Sequence, residues 1–417
     1  MDLKIVGKIM RDLIRVDRVQ YVRSEILTVA HDNDRSFLYR GKHYSPLIDT
    51  IEDDLRERGV AQCQSIARII STIKGERSYG NVASPEGGFA RALLHKRALG
   101  LSKRNGEYPF CSWEEDVWGY ILDRTGARKV VAILPSRELC AAVHKRGLWV
   151  ADVQHGVIAD AHSWYGAAFR SSDPPEWVPD AFLCWDEPSA DIINTWAAAK
   201  NAHATVIGNR WLVRFAKKAY GDRLVQEIAD TYQPKIDALG DKPKILVSMS
   251  WGASNIPNGF LVDALAQVIK DTADSYTWLL RLHPNQLIGF ATDEGARFAH
   301  YHATELGGAA VWDWVSSAPL PFLLGAIDMH ISWHSSVAIE AAQCGIKSAL
   351  LDPDVRTLES KSDYFNAYRA GGRIDMIPDD AASIRAWLQA NRHSKTAPQS
   401  FDQPDANYTQ LLDFLIR

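Results

Sequence analysis

Short apolar runs, each followed by a stretch with helical spacing, recur along much of this chain. In the first half, such runs are Lys129–Pro135, Leu148–Gln154, Ala181–Trp185 and Ala204–Asn209, and the helical stretches between them include Glu138–Arg146 and Pro188–Ala199. Strands that alternate with helices of this length form a parallel sheet with right-handed crossovers. This part of the sequence therefore predicts a Rossmann-like domain.

A second series of the same kind follows Gly240–Pro243, which has the composition of a linker. Its predicted strands are Lys244–Ser248, Thr277–Leu282, Met329–Ser332 and Lys347–Leu351, and its predicted helices are Phe260–Lys270, Pro321–Leu324 and Val337–Cys344. We predict an α/β fold with two Rossmann-like domains that face each other across a cleft. The expected parts are an N-terminal domain (1–213), a helical linker (214–243), a C-terminal domain (244–400) and a C-terminal helix (401–417) that packs back on the first domain.

Composition excludes several classes of protein. With 417 residues, 46% of them hydrophobic and 24% charged, the chain is long enough for two globular domains. A net charge of −4 argues against general nucleic-acid binding, which requires a basic face. The five cysteines are scattered and lack metal-site spacing, which favours a reduced, cytoplasmic protein. The sequence has no run of 18 apolar residues, so we expect no transmembrane helix, and charges near the start argue against a signal peptide.

Residues 1–20 have the pattern of a basic amphipathic helix. Lys4, Lys8, Arg11, Arg15 and Arg18 fall on one side of an ideal helix, and most of the other side is apolar. Such a helix can lie on an anionic membrane surface, here the inner membrane. The same pattern also fits an ordinary helix that packs on its own domain with a solvated basic face.

Two strand ends in the second domain carry candidate anion-binding residues. The predicted strand Met329–Ser332 leads through Ser335 and Ser336 directly into a helix, and such junctions bind phosphates. The serines could equally act as simple helix caps. Arg281, His283, Pro284 and Asn285 stand at the end of the neighbouring predicted strand, where His283 would bind a phosphate as a hydrogen-bond donor or as a cation. A turn histidine beside a proline is the structural alternative.

Other candidate residues lie at further strand ends. His155, in the Gln154–Gly156 turn, follows a predicted strand of the first domain, and an unperturbed imidazole pKa near 6.5 suits a general base. A loop histidine with a backbone partner is the alternative. Ser250 and Gly252 belong to a small-residue loop after the first strand of the second domain. Glu340 lies one helical turn past the serines and could reach a sugar hydroxyl or remain solvated.

Common catalytic motifs are missing from the sequence. It lacks the GxxxxGK[ST] phosphate loop, the GxSxG elbow, the HExxH zinc motif and the GxGxxG dinucleotide fingerprint. Asp352–Asp354 could be read as a DxD metal motif, but a loop turn is the preferred interpretation. We therefore expect no metal and no other cofactor.

The QHG turn at His155, the HP turn at His283 and the serine pair resemble motifs of GT-B-fold glycosyltransferases of bacterial surface polysaccharide synthesis. The HP and serine turns resemble those of sialyltransferases and polysialyltransferases, which use CMP-sugars. The HG and HP turns resemble those of teichoic-acid glycerophosphotransferases, which use CDP-glycerol. The resemblance implies that His283, Ser335 and Ser336 hold the donor phosphate and that His155 is the base. The acidic triplet in which sialyltransferases have their base is absent from the first domain.

The resemblance implies a metal-independent glycosyltransferase. It would move a sugar from a nucleotide-activated donor to a growing capsule or lipopolysaccharide glycan, with a CMP-sugar favoured and a UDP or CDP donor as the alternatives. The N-terminal domain would be the acceptor side and the C-terminal domain would bind the nucleotide-sugar. Two other hypotheses are a nucleotide-sugar 2-epimerase and a non-catalytic subunit of a polysaccharide assembly complex.

Overall fold

The computed structural model of the protein describes residues 19–68, 71, 73, 75–98, 109–162, 164–217, 221–250, 256, 259–287, 293–356 and 364–417. These residues divide into two compact units. Unit 1 contains the described residues up to Arg210 together with Asp402–Arg417, and unit 2 contains Trp211–Phe401. None of the helices in the described ranges combines the length and apolar character that a bilayer-spanning segment requires.

Unit 1 is built on a seven-stranded parallel sheet. Its strands are β1 (Ile26–Ala30), β4 (Gln64–Ala67), β5 (Val82–Ala83), β6 (Lys129–Ala132), β7 (Trp149–Val153), β8 (Ala181–Cys184) and β9 (His203–Val206), and an antiparallel hairpin joins β2 (Phe37–Tyr39) to β3 (Lys42–Tyr44). The strand order is β5-β4-β1-β6-β7-β8-β9. From β1 the next strands of the sheet, β4 and β5, are added on one side, and β6 to β9 are added on the other side. The strand order therefore reverses between β1 and β6, and ligands of open α/β sheets bind at such a reversal.

Helices cover both faces of this sheet, which explains why its strands read as continuous apolar runs. The helices are α1 (Ile48–Glu57), α2 (Glu86–Ala98), α3 (Ser112–Thr125), α4 (Arg137–His144), α5 (Ala167–Arg170), α6 (Glu187–Ala197) and α17 (Asp402–Ile416). Successive strand residues point to opposite faces: Val130 packs into one core and Val131 into the other.

The C-terminal helix α17 belongs to unit 1. Tyr408, Leu412 and Leu415 are buried in the same core as Val131. The Tyr408 hydroxyl donates to Asp54 Oδ2 at 2.6 Å, and Arg210 forms a 2.7 Å ion pair with Asp405. The chain thus returns to unit 1 after completing unit 2.

Unit 2 is built on a five-stranded parallel sheet with the order β11-β10-β12-β13-β14. Its strands are β10 (Lys244–Ser248), β11 (Thr277–Arg281), β12 (Met329–Ser332), β13 (Lys347–Leu350) and β14 (Ile374–Met376). Its helices are α8 (Arg223–Asp237), α9 (Asp263–Thr272), α10 (Pro284–Leu287), α11 (Glu294–Tyr301), α12 (Leu320–Ala326), α13 (Val337–Gln343), α14 (Pro353–Arg356), α15 (Asn366–Ala370) and α16 (Ala381–Asn391), and α7 (Arg210–Lys217) begins at the unit boundary. The segment 214–243, expected to be a linker, falls within unit 2 as the end of α7, α8 and the residues around them.

Candidate functional site

The strand order of unit 2 reverses between β10 and β12, and four polar residues lie just beyond the sheet around that point. The register aligns Ser248 with Arg281 and Ser332, and Ser332 with Leu350. Backbone hydrogen bonds continue beyond these aligned residues: the Met249 N–H donates to the Arg281 carbonyl, and the Asp352 N–H donates to the Trp333 carbonyl. Two positions after the aligned residues of β10, β11, β12 and β13 stand Ser250, His283, His334 and Asp352. We refer to these four as the polar row.

His283 is held as a neutral imidazole with a defined orientation. The backbone N–H of Asn285 donates to its Nδ1 at 3.1 Å, and its own backbone N–H donates to Gln286 Oε1 at 2.8 Å. Burial, aided by the positive charge of Arg281, lowers the pKa of His283 to about 4. Because Nδ1 accepts a hydrogen bond, the neutral ring carries its proton on Nε2. His283 is therefore a hydrogen-bond donor rather than a cation, and Pro284, at the start of α10, fixes the turn behind it.

The Arg281 side chain forms hydrogen bonds with the backbone of a neighbouring loop. Its Nη1 donates to the carbonyl oxygens of Val315 at 2.7 Å and Ala318 at 2.6 Å. Burial lowers the pKa of Arg281 to about 10, and the negative charge of Glu340 opposes that shift. The side chain remains a cation, and the buried Glu340 carboxylate lies within its electrostatic reach.

The serine loop between β12 and α13 is tied to the centre of the sheet. Ser332 Oγ donates to the Ser248 carbonyl at 2.8 Å and accepts the Ser335 N–H at 3.1 Å. Ser335 Oγ in turn accepts the Val337 N–H at 3.3 Å, so it caps the start of α13. Ser336 is half-buried beside it. Capping and ligand binding are compatible because a serine hydroxyl has further hydrogen-bonding capacity.

Ser250 and His334 complete the centre of the polar row. The Ser250 hydroxyl is buried and has no hydrogen-bond partner in the described part of the chain. A buried hydroxyl without a partner is costly, which points to a ligand or water at this position. His334 Nδ1 lies 2.6 Å from Asp352 Oδ2. Gly252, which the sequence also nominated, lies outside the described residues.

In unit 1, His155 lies beyond the end of β7. Gln154 is fully engaged: its side chain donates to the Gly156 carbonyl and to Ser189 and accepts the Trp185 N–H. Burial lowers the pKa of His155 to about 4, well below the value near 6.5 assumed from sequence. The Tyr165 hydroxyl lies 3.5 Å from its Nδ1. The imidazole is therefore neutral but weakly basic in this structure.

Comparisons with known proteins show the fold. No protein-family model matches this sequence, and no curated protein matches it significantly. A solved structure of the wall teichoic acid polymerase TagF is 13% identical, with a TM-score of 0.56 over 95% of this chain and 88% of that chain. UDP-GlcNAc 2-epimerase from Neisseria meningitidis is 10% identical, with a TM-score of 0.53 over 94% of this chain and 99% of that chain. The epimerase from Methanocaldococcus jannaschii is 9% identical, with a TM-score of 0.53 over 94% and 100%.

These likenesses confirm the predicted α/β class with two Rossmann-like units of the GT-B type. At 9–13% identity, they extend to the fold and no further.

The sequence analysis missed several polar residues at both sheet edges. In unit 1, His31 and Arg68 stand two residues beyond the paired Val29 and Ile66. Arg68 donates to the carbonyl of Leu134, whose positive φ of 49° marks local strain. In unit 2, His334 and Asp352 were missed. His31 and Arg68 come one residue after β1 and β4, and His334 and Asp352 come two residues after β12 and β13. Inspecting the first two residues after each strand would have found all four, but β1 and β4 were not recognised as strands.

Proposed function

We propose that unit 2 binds a nucleotide-activated sugar and that the protein transfers this sugar to an acceptor glycan. The observation that carries the proposal is the placement of His283, with an Nε2–H donor, and Ser250, whose buried hydroxyl has no partner in the described residues. The two residues lie at matching positions beyond the neighbouring strands β11 and β10, beside the reversal of strand order. Both groups suit phosphate oxygens. Ser335 and Ser336 would complete the phosphate site, and Glu340 would accept hydrogen bonds from the ribose or the sugar.

The structural neighbours support a nucleotide-linked ligand. One TagF structure was soaked with CDPG, and the Neisseria epimerase was solved with UDP-GlcNAc bound. We favour a CMP-sugar as the donor, with UDP and CDP donors as alternatives, and a growing capsule or lipopolysaccharide glycan as the acceptor. His155 of unit 1 is the proposed base for the acceptor hydroxyl. Stabilising the charge of the departing phosphate would be the main electrostatic task.

Titration calorimetry with CMP, CDP, UDP and GDP tests the donor site. We expect at least one nucleotide to bind the folded wild-type protein with a Kd in the micromolar to millimolar range, as is typical of substrate affinities. Binding of none of the four would contradict the proposal. The nucleotide that binds best would identify the donor base.

A nucleotide-sugar 2-epimerase is the second candidate, because the epimerase neighbours match over 99–100% of their own length. Incubation with UDP-GlcNAc in D₂O separates the two functions. An epimerase that removes and returns the C2 proton would incorporate deuterium there, which proton NMR detects. Nucleotide binding without turnover on any sugar or acceptor would instead favour a non-catalytic subunit.

We also propose that the protein works in the cytoplasm and that residues 1–20 bind the inner-membrane surface. Residues 1–18 lie outside the described residues, so this proposal rests on their charge pattern. Co-sedimentation with anionic and neutral vesicles tests it. Binding that requires anionic lipid and disappears after deletion of residues 1–18 is the expected result.

A further inference from the structure

His334 lies two residues after β12, at the position of the polar row that matches Ser250, which lies two residues after β10 across the reversal of strand order. Its side chain is 27% exposed, whereas the Asp352 side chain beside it is 1% exposed. The two side chains are in direct contact, with 2.6 Å between Nδ1 and Oδ2. The angles of this contact are not those of a hydrogen bond, so Nδ1 is a buried atom in contact with the carboxyl group but without a hydrogen-bond partner in the described residues.

Asp352 is fixed by contacts that do not depend on His334. Its backbone N–H donates to the Trp333 carbonyl at 3.1 Å, and its Oδ1 accepts the Asp354 N–H at 3.0 Å. The carboxyl group is therefore rigidly held and buried behind the imidazole. The Asp352–Asp354 segment, for which a loop turn was preferred over a metal motif, holds this carboxyl group in place at the start of α14.

The ring of His334 faces Asp352 with one nitrogen and solvent with the other. Nδ1 is buried against the carboxylate, while Nε2 is not buried and contacts no polar group in the described ranges. A side chain that is held on one side and open on the other is suited to ligand binding. The serine loop continues directly from His334, and Ser335 caps α13 next to it.

The two histidines of the polar row differ in the charge state in which each can donate a hydrogen bond from Nε2. His283 donates from Nε2 while neutral, because its Nδ1 accepts the Asn285 N–H. With a carboxylate at Nδ1, His334 can donate from Nε2 only as an imidazolium. A phosphate at Nε2 and the carboxylate at Nδ1 would place a negative charge on both sides of that cation.

We propose that His334 binds the donor phosphate as an imidazolium and that Asp352 is its positioning residue. This inference rests on the proposed nucleotide-sugar site of unit 2. The phosphate would then be bound by a neutral donor from β11, a hydroxyl from β10 and a cation from β12. Charge-assisted hydrogen bonds to phosphate are stronger than neutral ones, so His334 should contribute more to affinity than Ser335.

The test compares a nucleotide with its nucleoside. His334→Gln keeps a polar side chain without a charge, and His334→Lys restores a positive charge. We expect His334→Gln to weaken binding of the preferred nucleotide by about 10- to 100-fold, the range of a hydrogen bond to a charged group. His334→Lys should recover part of that loss. Binding of the corresponding nucleoside, which lacks phosphate, should be equal in all three proteins.

Asp352 is tested through the state of the His334 ring. In ¹⁵N-histidine NMR of the nucleotide complex, we expect His334 to show an imidazolium signature in the wild type. The Asp352→Asn variant should lose that signature, and its affinity for the nucleotide should fall by about tenfold, as expected for loss of one charge interaction. His300→Gln, on the exposed face of α11, is the matched control and should change neither quantity. If the Asp352→Asn variant does not fold, nucleotide binding by the His334 variants and the wild-type spectrum still test the role of His334.

The outcomes separate this inference from the proposed function. Wild-type protein that binds no nucleotide contradicts the proposed function. Wild-type binding together with full affinity in His334→Gln, or an equal loss for nucleotide and nucleoside, overturns only the role of His334. A neutral ring in the wild-type complex overturns the imidazolium.

Discussion

At the scale of single residues, the hydrogen bond from Asn285 to His283 decides what that histidine can do. A histidine at a strand end could donate, accept or carry charge, and the sequence left these roles open. The Asn285 N–H occupies Nδ1, and burial keeps the ring neutral, so only Nε2–H remains for a ligand. One backbone contact thus converts an ambiguous side chain into a hydrogen-bond donor.

Substitutions that mimic each ring nitrogen should separate the two functions of His283. His283→Asn can still accept the Asn285 N–H but loses the Nε2 donor, whereas His283→Gln can place an N–H near the Nε2 position. We expect His283→Ala and His283→Asn to weaken nucleotide binding by about 1.5–3 kcal/mol, and His283→Gln to weaken it less. Calorimetry measures the difference. Normal nucleotide affinity in His283→Asn would show that Nε2 does not contact the ligand.

His155 should affect turnover rather than donor binding. General-base catalysis is typically worth roughly 10²–10⁴-fold, and a pKa of about 4 places His155 at the lower end because its basicity is small. We expect His155→Ala and His155→Gln to lower kcat by about 10²-fold with an unchanged donor Kd. Steady-state kinetics and calorimetry on the same protein preparations provide the comparison. Near-normal turnover in both variants would assign the base to another residue.

At the scale of elements, β12 contains a buried titratable group that ties its stability to pH. His330 is fully buried, its Nδ1 lies 2.9 Å from Ser348 Oγ on β13, and burial lowers its pKa to about 3. Between pH 3 and 6.5 the unfolded chain binds more protons at this site than the folded chain does. Stability from this group is therefore complete above about pH 6.5 and is lost as the pH falls.

His330→Asn removes that titration while keeping a polar group near the Nδ1 position. Its packing cost is the same at every pH, so only the pH dependence is informative. From pH 6.5 to 4, we expect the wild type to lose stability relative to His330→Asn by up to about 1.4 kcal/mol per pH unit. Urea unfolding across this range measures the effect. Parallel pH profiles for the two proteins would mean that His330 does not titrate differently on folding.

The elements recovered from sequence are those with unbroken apolar runs. β10 and β12 have the predicted bounds, and β6, β7, β8 and β13 differ from prediction by a few residues at their ends. β1 and β4 were missed because charged and polar residues lie close on either side of their short runs. The predicted helix Glu138–Arg146 ends within two residues of the observed end of α4 at His144, and Gly147, which follows, adopts the positive φ typical of a residue just past a helix.

Candidate site residues could be predicted from sequence only where a single local segment identifies them. His283, Ser335 and Ser336 follow the ends of predicted strands, and each strand end can be recognised from one short stretch of sequence. The contact between His334 and Asp352 joins residues that are eighteen positions apart, and it depends on the pairing of β12 with β13. Strand pairing is set by tertiary packing, so no pattern within either segment could specify it.

At the scale of the whole molecule, unit 1 depends on a helix that follows unit 2 in the chain. Leu412 of α17 is buried in the core of unit 1, whereas Ile416 on the same helix is 40% exposed. We expect Leu412→Ala to destabilise unit 1 by about 2–5 kcal/mol and Ile416→Ala to have little effect. Thermal unfolding of the two variants makes the comparison. Equal effects would mean that the helix does not contribute its apolar face to the core.

The return of the chain to unit 1 also sets an order of events during synthesis. Residues 211–401 leave the ribosome before residues 402–417, so unit 2 can acquire its complete sheet and helices first. Until α17 arrives, the apolar surface beside Val131 stays uncovered in the nascent chain. We therefore expect nascent unit 1 to bind chaperones while unit 2 is translated, and a stall within residues 211–401 to prolong that exposure.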